Sequence, residues 1–315
     1  MTTTLSTHTV RFIVVDNEQV GQRIDNFLLR ILKGVPKTRV YKMLRKGEVR
    51  VNSGRIQPSY RLQLDDKVRI PPVTQNATVE HRPSASLLKL FADVTVYEDS
   101  GLLVINKPSG IPVHGGSGVK FGVIEIMRKL HPELKFLELV HRLDKDTSGC
   151  LLLAKKRSVL VHLHALLREH KIHKSYLTLV RGQWQGGART VELSLEKNVQ
   201  QSGERVVVVN DDQGKLAKTV FKPVKKFHQA SLMEAIIYTG RTHQIRVHAG
   251  YLGRPIAGDE KYGDKAFNKE MRNLGLKRLF LHAHKVAFTL PEQKKQISIE
   301  IALGGELQAL IERLE

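Results

Sequence analysis

The chain has 315 residues, 41% of them hydrophobic and 26% charged, which is enough apolar material for two or three folded units and excludes a disordered or low-complexity protein. Its 51 Lys and Arg against 31 Asp and Glu leave a formal charge of +20, pointing to a polyanionic partner, nucleic acid ahead of anionic lipid or mere solubility. One cysteine, Cys150, excludes an internal disulfide and cysteine-based zinc sites, no apolar run approaches membrane-span length, and the first ten residues lack a signal layout, so a cytoplasmic location is expected.

In chain order, residues 1–20 read as an N-terminal segment with a strand-like run at 11–15. The run RIDNFLLRIL then sets Ile24, Phe27, Leu28, Ile31 and Leu32 at helical spacing. Gly34 ends that helix, Pro36 restarts the chain, and TRVYKMLRKG predicts a second helix with Val40, Tyr41 and Leu44 inward and Gly47 at the C-cap. The outer face of this helix carries Lys37, Arg39, Lys42, Arg45 and Lys46. Val49 and Val51 precede a turn at 52–54, and a last strand ends near Ile70. This module of residues 21–70 holds 13 basic against 4 acidic residues, far more than an even spread of the charge would give it.

Residues 71–92, rich in Pro, Ser, Thr and Asn, read as a linker. A larger domain, 93–315, follows. Strand-like runs fall at 94–97, 102–106, 151–154, 176–180, 206–209, 232–237, 279–282 and 296–301, with helices only near 122–130, 158–170, 242–251 and 306–314. Strands not each followed by a helix predict an α+β fold with a mixed or antiparallel sheet.

The most informative segment is ELVHRLDKDTSGCLLLAKK, where apolar runs flank a polar insert at 141–149 that belongs at a sheet edge or in a cleft. Asp144 and Asp146 in this insert suit a carboxylate pair, metal ligands or a tight Asx turn, and spacing alone leaves all three open. The pairs His282 and His284, His162 and His164, and His243 and His248 lack the i, i+4 spacing of a helical zinc pair, so no metal is expected. Gly115, Gly116 and Gly118 lack the Lys-Ser/Thr of a phosphate loop, so no nucleotide cofactor is expected either.

HRLDKDTSG resembles the HRLDxxTSG active-site signature of the RluA-type pseudouridine synthases. NKPSGIPVHGG (106–116), KSYLTLVRG (174–182), TGRTHQIRVHAGYLGRPIAGDEKYG (239–263) and RLFLHA (278–283) are similar to the family's other blocks, in the family's order. Through QRIDNFL and through Arg39, Lys42, Lys46, Gly47, Val49, Val51 and Asn52, the N-terminal module resembles the S-four-type RNA-binding module. Together these likenesses span about residues 20–303.

The resemblance implies a mainly antiparallel catalytic sheet, and an isomerase that turns uridine into pseudouridine with no external cofactor. It makes Asp144 the nucleophile, Arg246 the guanidinium that pairs with Asp144 and keeps it ionised, and Tyr176 the ring that stacks on a flipped uracil. Arg142 is expected to enter the space that base vacates, Leu281 to wall the pocket, and Arg241 to meet RNA phosphate or shape its turn. Asp146, at a variable position of the signature, is assigned to capping the loop. The basic face of Lys37, Arg39, Lys42, Arg45 and Lys46 is expected to meet structured RNA. Large-subunit (23S) ribosomal RNA is the expected partner of a monomeric enzyme, with transfer RNA as the alternative substrate. The rival from another class is a non-catalytic RNA-binding protein of ribosome assembly.

Overall fold

A computed structural model describes residues 4–7, 9–32, 34–76, 83–116, 119–199, 205–290 and 295–315. Gly118 of the glycine-rich loop lies outside the described residues. Contacts divide the chain into two units, Met1–Arg82 and Pro83–Glu315.

The smaller unit holds β1 (Thr4–Thr7), β2 (Arg11–Val14), α1 (Ile24–Ile31), α2 (Lys37–Lys46), β3 (Arg50–Val51), β4 (Lys67–Ile70) and β5 (Val73–Asn76). Strands β2, β4 and β3 form an antiparallel sheet in that order, and β1 pairs with β5. Ile24, Phe27, Leu28 and Leu32 pack with Val40, Met43, Leu44, Val49, Val51 and Val68 into one core, each full burial contributing roughly 1.5–3 kcal/mol before the cost of ordering the chain. Gly47 ends α2 at φ 68°, where its N–H reaches the Leu44 carbonyl; a side chain there would be strained.

One helical position needs correction. Tyr41 faces outward, 37% exposed, with its hydroxyl donating to Asp25 at 3.2 Å, and Met43 takes the inward place. The stripe is thus 40, 43, 44, the i, i+3, i+4 pattern of a packed helix.

The larger unit contains α3 (Ala85–Ala92), β6 (Thr95–Glu98), β7 (Leu102–Lys107), α4 (Val123–Leu130), β8 (Glu138–Leu139), β9 (Ser148–Ala154), α5 (Arg157–Arg168) and β10 (His173–Arg181). It continues through β11 (Arg189–Val199), β12 (Arg205–Val209), β13 (Lys215–Lys226), β14 (Ala230–Ile237), α6 (Gln244–Tyr251), α7 (Lys265–Asn273), β15 (Leu281–Leu290), β16 (Lys295–Glu300) and α8 (Gly305–Leu314). The stretch expected to be a linker, 71–92, therefore carries β5 and α3. Helix α3 starts where the Ser84 hydroxyl accepts the Leu87 N–H, and it buries Phe91 in the larger core.

One eleven-stranded sheet runs β12-β11-β13-β14-β10-β15-β9-β7-β6, with β16 beside β15 and β8 beside β9. Every pairing among the described residues is antiparallel except β9 with β15, where Ser148 lies opposite His282 and Gly149 opposite Ala283. That seam joins two antiparallel halves, so the fold is α+β with a mixed, mainly antiparallel sheet. Strand β9 is buried along its whole length, which explains the unbroken apolar run Cys150 to Ala154. Burial pushes the Cys150 thiol up to about 12, so this cysteine acts as a small apolar side chain.

Candidate active site

The polar insert hangs from the seam. At its start, Val140 and His141 bracket Leu152 of β9: the Val140 N–H donates to the Leu152 carbonyl at 3.0 Å, and the Leu152 N–H donates to His141 Nε2 at 3.2 Å. His141 must be unprotonated at Nε2 to accept, and burial, pulling its pKa down to about 4, keeps it so. In the middle, the Thr147 N–H closes a turn on the Asp144 carbonyl at 3.2 Å.

At its end, Gly149 adopts φ 105°, and a Cβ there would fall 2.2 Å from the Ala283 carbonyl oxygen. Beside it, burial holds His282 neutral at about 4. His282 Nε2–H donates to the Ile301 carbonyl at 3.1 Å, which leaves Nδ1 to accept the Ser148 hydroxyl at 2.9 Å. Both ends of the insert are thereby fixed to backbone of the sheet.

Lys107, which ends β7 in the NKPSG run, secures the insert from below. It is fully buried, and its Nζ donates to the carbonyls of Pro108 (2.8 Å), Ile111 (2.7 Å) and Lys145 (3.0 Å). Burial pulls its pKa down to about 7 against the attraction of Asp146 and Asp144. Three carbonyls require three N–H donors, and only the ammonium has them. Lys107→Met should leave those carbonyls unsatisfied and lower stability by about 2–3 kcal/mol, read from urea unfolding. A change under about 0.5 kcal/mol would remove Lys107 as the support of the insert.

Above this loop lies an open cavity lined by Asp144, Arg142, Tyr176, Arg241, Arg246 and Leu281 among others. All six residues singled out in the catalytic blocks thus share one cavity, although they come from the insert, β10, the turn before α6, α6 itself and β15. Tyr176 and Leu281 form apolar wall, 7% and 3% exposed, while Arg142 stands exposed at the mouth. Burial pushes the Tyr176 phenol well above its ordinary value, so it stays protonated at neutral pH.

Arg246 requires a correction. Its Nε and Nη2 both donate to Asp259, each at 2.7 Å, so the hydrogen-bonded partner is Asp259 rather than Asp144. A planar guanidinium fork matches one carboxylate at two points, and Asp259, 1% exposed, is shielded from bulk solvent. Burial is the largest effect on Arg246 and works against its charge, but the hydrogen bonds and charge of Asp259, with the charges of Asp144 and Tyr262, together outweigh it and leave the guanidinium above its ordinary value. Asp259 is likewise penalised by burial and nevertheless held below its ordinary value by Arg246. Arg246 therefore keeps a full positive charge in the cavity wall, and Asp144 feels that charge without the direct pair.

Arg241 shapes its turn: its Nε reaches the Leu216 carbonyl at 3.2 Å, and its backbone N–H donates to Gln244 Oε1 at 3.0 Å. Gln244 ties the same turn to β13 by donating to the Lys218 carbonyl and Thr219 hydroxyl, both at 3.0 Å. In the smaller unit, Lys37, Lys42, Arg45 and Lys46 are exposed along α2. Arg39 differs from them, because its two terminal nitrogens hold Glu48 at 3.1 and 2.7 Å. Lys107, Gln244, Asp259 and Tyr262 were not singled out from sequence, and His243 was weighed only with His248 as a rejected metal pair, although all five lie inside the quoted blocks.

The family model described as RNA pseudouridylate synthase matches residues 101–250, and that of the S4 domain matches residues 22–68. A Haemophilus influenzae protein named Ribosomal large subunit pseudouridine synthase C is 51% identical over 307 residues, covering 97% of this chain and 95% of its own. The chain belongs to the RNA pseudouridylate synthase family. A second relative of the same name, from Escherichia coli strain K12, is 51% identical over 312 residues and covers 98% of each chain. Among solved structures, Human RNA Pseudouridylate Synthase Domain Containing 4 superposes with a TM-score of 0.60 at 25% identity, over 73% of this chain and 95% of its own. This pseudouridylate synthase is an isomerase acting on RNA. Its insert 141–149 lies inside the matched catalytic region and its α2 inside the S4 domain.

Proposed function

We propose that this enzyme isomerises specific uridines of large-subunit (23S) ribosomal RNA, with Asp144 as the attacking carboxylate. The observation that supports the site is the convergence of Asp144, Tyr176 and the charged Arg246 on one cavity. The substrate is the one that the relatives' names carry. In this reading the target base leaves its stack and enters the cavity, where the Tyr176 ring lies against it and Leu281 closes the apolar side. Asp144 stabilises or bonds the electron-poor centre while the C1′–N1 bond breaks, the uracil turns, and C1′ joins C5; C5 then gives up its proton and N1 takes one, so the product is an isomer of the substrate. Arg142 fills the gap in the RNA stack, and the enzyme works as a cytoplasmic monomer. No helix of the described residues is long and apolar enough to cross a membrane.

The test is incubation of the purified protein with unmodified large-subunit RNA and with transfer RNA, followed by pseudouridine mapping. New pseudouridine in ribosomal RNA alone is expected. Modification of transfer RNA alone would overturn the substrate, and none in either would overturn the reading. Tyr176→Phe should stay within about tenfold of the parent rate and Tyr176→Ala should lose far more, since the stacking face survives only in the first. Severe loss in the Phe variant would transfer the role to the hydroxyl.

Lys37, Lys42, Arg45 and Lys46 are proposed to meet RNA phosphates, and Arg39 to hold Glu48 in place beside them. Replacing those four by Ala should flatten the dependence of log affinity on log salt by about 3. An unchanged slope would reduce that face to a solubility role.

A further inference from the structure

His243 opens α6 from an unusual backbone position, φ 55°, a left-handed conformation that non-glycine residues rarely adopt. Its side chain stands between two groups. On one side, Nδ1 lies 2.8 Å from the Tyr262 hydroxyl, with the two rings edge to face at 5.4 Å. On the other, Nε2 lies 4.0 Å from Asp144 Oδ2, and His243 lines the cavity with it.

The protons on this chain of groups can be assigned. The Val207 N–H donates to the Tyr262 oxygen at 2.8 Å, so one lone pair of the phenol is taken and its single proton needs an acceptor. Among the described contacts that acceptor is His243 Nδ1. An imidazole that accepts at Nδ1 carries its own proton at Nε2, the atom turned toward Asp144. Burial pulls His243 below its ordinary value, helped by Arg246 and Lys261 and opposed by Asp144 and Asp259, which keeps the ring neutral with one defined N–H. The Tyr262 ring is held in turn by Arg246, whose guanidinium carbon sits 5.0 Å from its centroid, and by the turn that Asp259 Oδ1 forms on the N–H groups of Lys261 and Tyr262 at 2.9 and 3.0 Å.

We propose that His243 is a positioning residue for Asp144: Tyr262 fixes its tautomer, and its Nε2–H holds the Asp144 carboxylate in the attacking orientation. At 4.0 Å the contact is not yet a hydrogen bond, and it closes as substrate expels water from the cavity. The role rests on the reading of Asp144 as the reacting carboxylate. It also gives Arg246 a task through its contacts: by holding Asp259 and the Tyr262 ring, Arg246 fixes the far end of the chain that reaches Asp144.

The test uses the full-length enzyme with His243→Asn, Tyr262→Phe and the double variant. Asparagine tolerates the left-handed backbone and keeps an amide near Tyr262, but its side chain is too short to reach Asp144. Single-turnover rate at saturating large-subunit RNA should fall about 10- to 100-fold in His243→Asn, with RNA affinity within about twofold of the parent. Tyr262→Phe should fall about 3- to 10-fold, and the double variant should match His243→Asn, because both changes break one chain. Nitrogen NMR of labelled histidine should report the Nε2–H tautomer for His243 in the parent and a shift away from it in Tyr262→Phe. An Nδ1–H tautomer in the parent, additive rate losses, or equal losses of rate and affinity would each overturn the proposal. Turnover in Asp144→Asn overturns the parent reading and this role with it. A normal rate in His243→Asn beside an inactive Asp144→Asn overturns this role alone.

Discussion

Asp144→Asn should lower the single-turnover rate by on the order of 10⁴-fold or more while RNA affinity stays within about threefold. The substitution is nearly isosteric, and the turn it sits in is closed by the Asp144 backbone carbonyl rather than by its carboxylate, so the loop should keep its shape. On the proposed role, what disappears is the charge that attacks or shields the electron-poor centre. Asp146→Asn is the matched control, two residues further along the same turn but exposed, and should stay within about fivefold of the parent. Activity of Asp144→Asn within tenfold of the parent would exclude a nucleophilic role.

The second large effect concerns the buried pair. Asp259→Asn should destabilise the larger unit by about 3–5 kcal/mol, since it strands the Arg246 guanidinium in the protein interior with one weaker acceptor. Adding Arg246→Met removes the stranded charge and should restore about half of the lost stability without restoring activity. Denaturant melts of the two variants separate these outcomes, and equal stability of the single and double variants would contradict the stranded-charge account.

The pair also has a pH signature. Asp259 is held below its ordinary value in the folded state, so its stabilisation is fully present above the unfolded carboxylate value of about 4 and is lost as pH falls through the lower folded value. Parent and Asp259→Asn stabilities should therefore converge only in acid below pH of about 4.

The sequence made the parts of the site legible but not their partners. Motif order placed Asp144, Tyr176, Arg246, Arg142, Arg241 and Leu281 in catalytic blocks, and the fold brings all six to one cavity. Which carboxylate Arg246 would grip was not readable, because Asp259, 13 residues on, and Asp144, far earlier in the chain, are both candidates, and only the folded geometry decides between them. Arg39 reads like its basic neighbours until Glu48, nine residues later, folds back to meet it. Long strands β11 and β13 escaped notice because Lys and Glu occupy their exposed positions, leaving only alternate residues such as Ala217, Thr219 and Phe221 to mark the buried face. The place of His243 beside Asp144 was not readable for another reason: its left-handed backbone and its position between Tyr262 and Asp144 are tertiary facts with no local signature.

The parallel seam between β9 and β15 also bears on how the enzyme comes into being. Ser148 and its partner His282 are separated by 134 residues, so this contact is among the late ones a growing chain can make. Strands β6 to β9 can pair among themselves as soon as they emerge, and β10 to β14 can do so after them, yet neither half alone fixes the end of the insert that carries Asp144. On the proposed roles of Asp144, Tyr176 and Arg246, chemical competence should therefore come with chain completion: a product truncated before β15 is expected to be inert toward uridine in a pseudouridine assay. The S4 module, whose described core and strand pairings all lie at or before Asn76, has no such delay and can complete its fold while the larger unit is still being assembled.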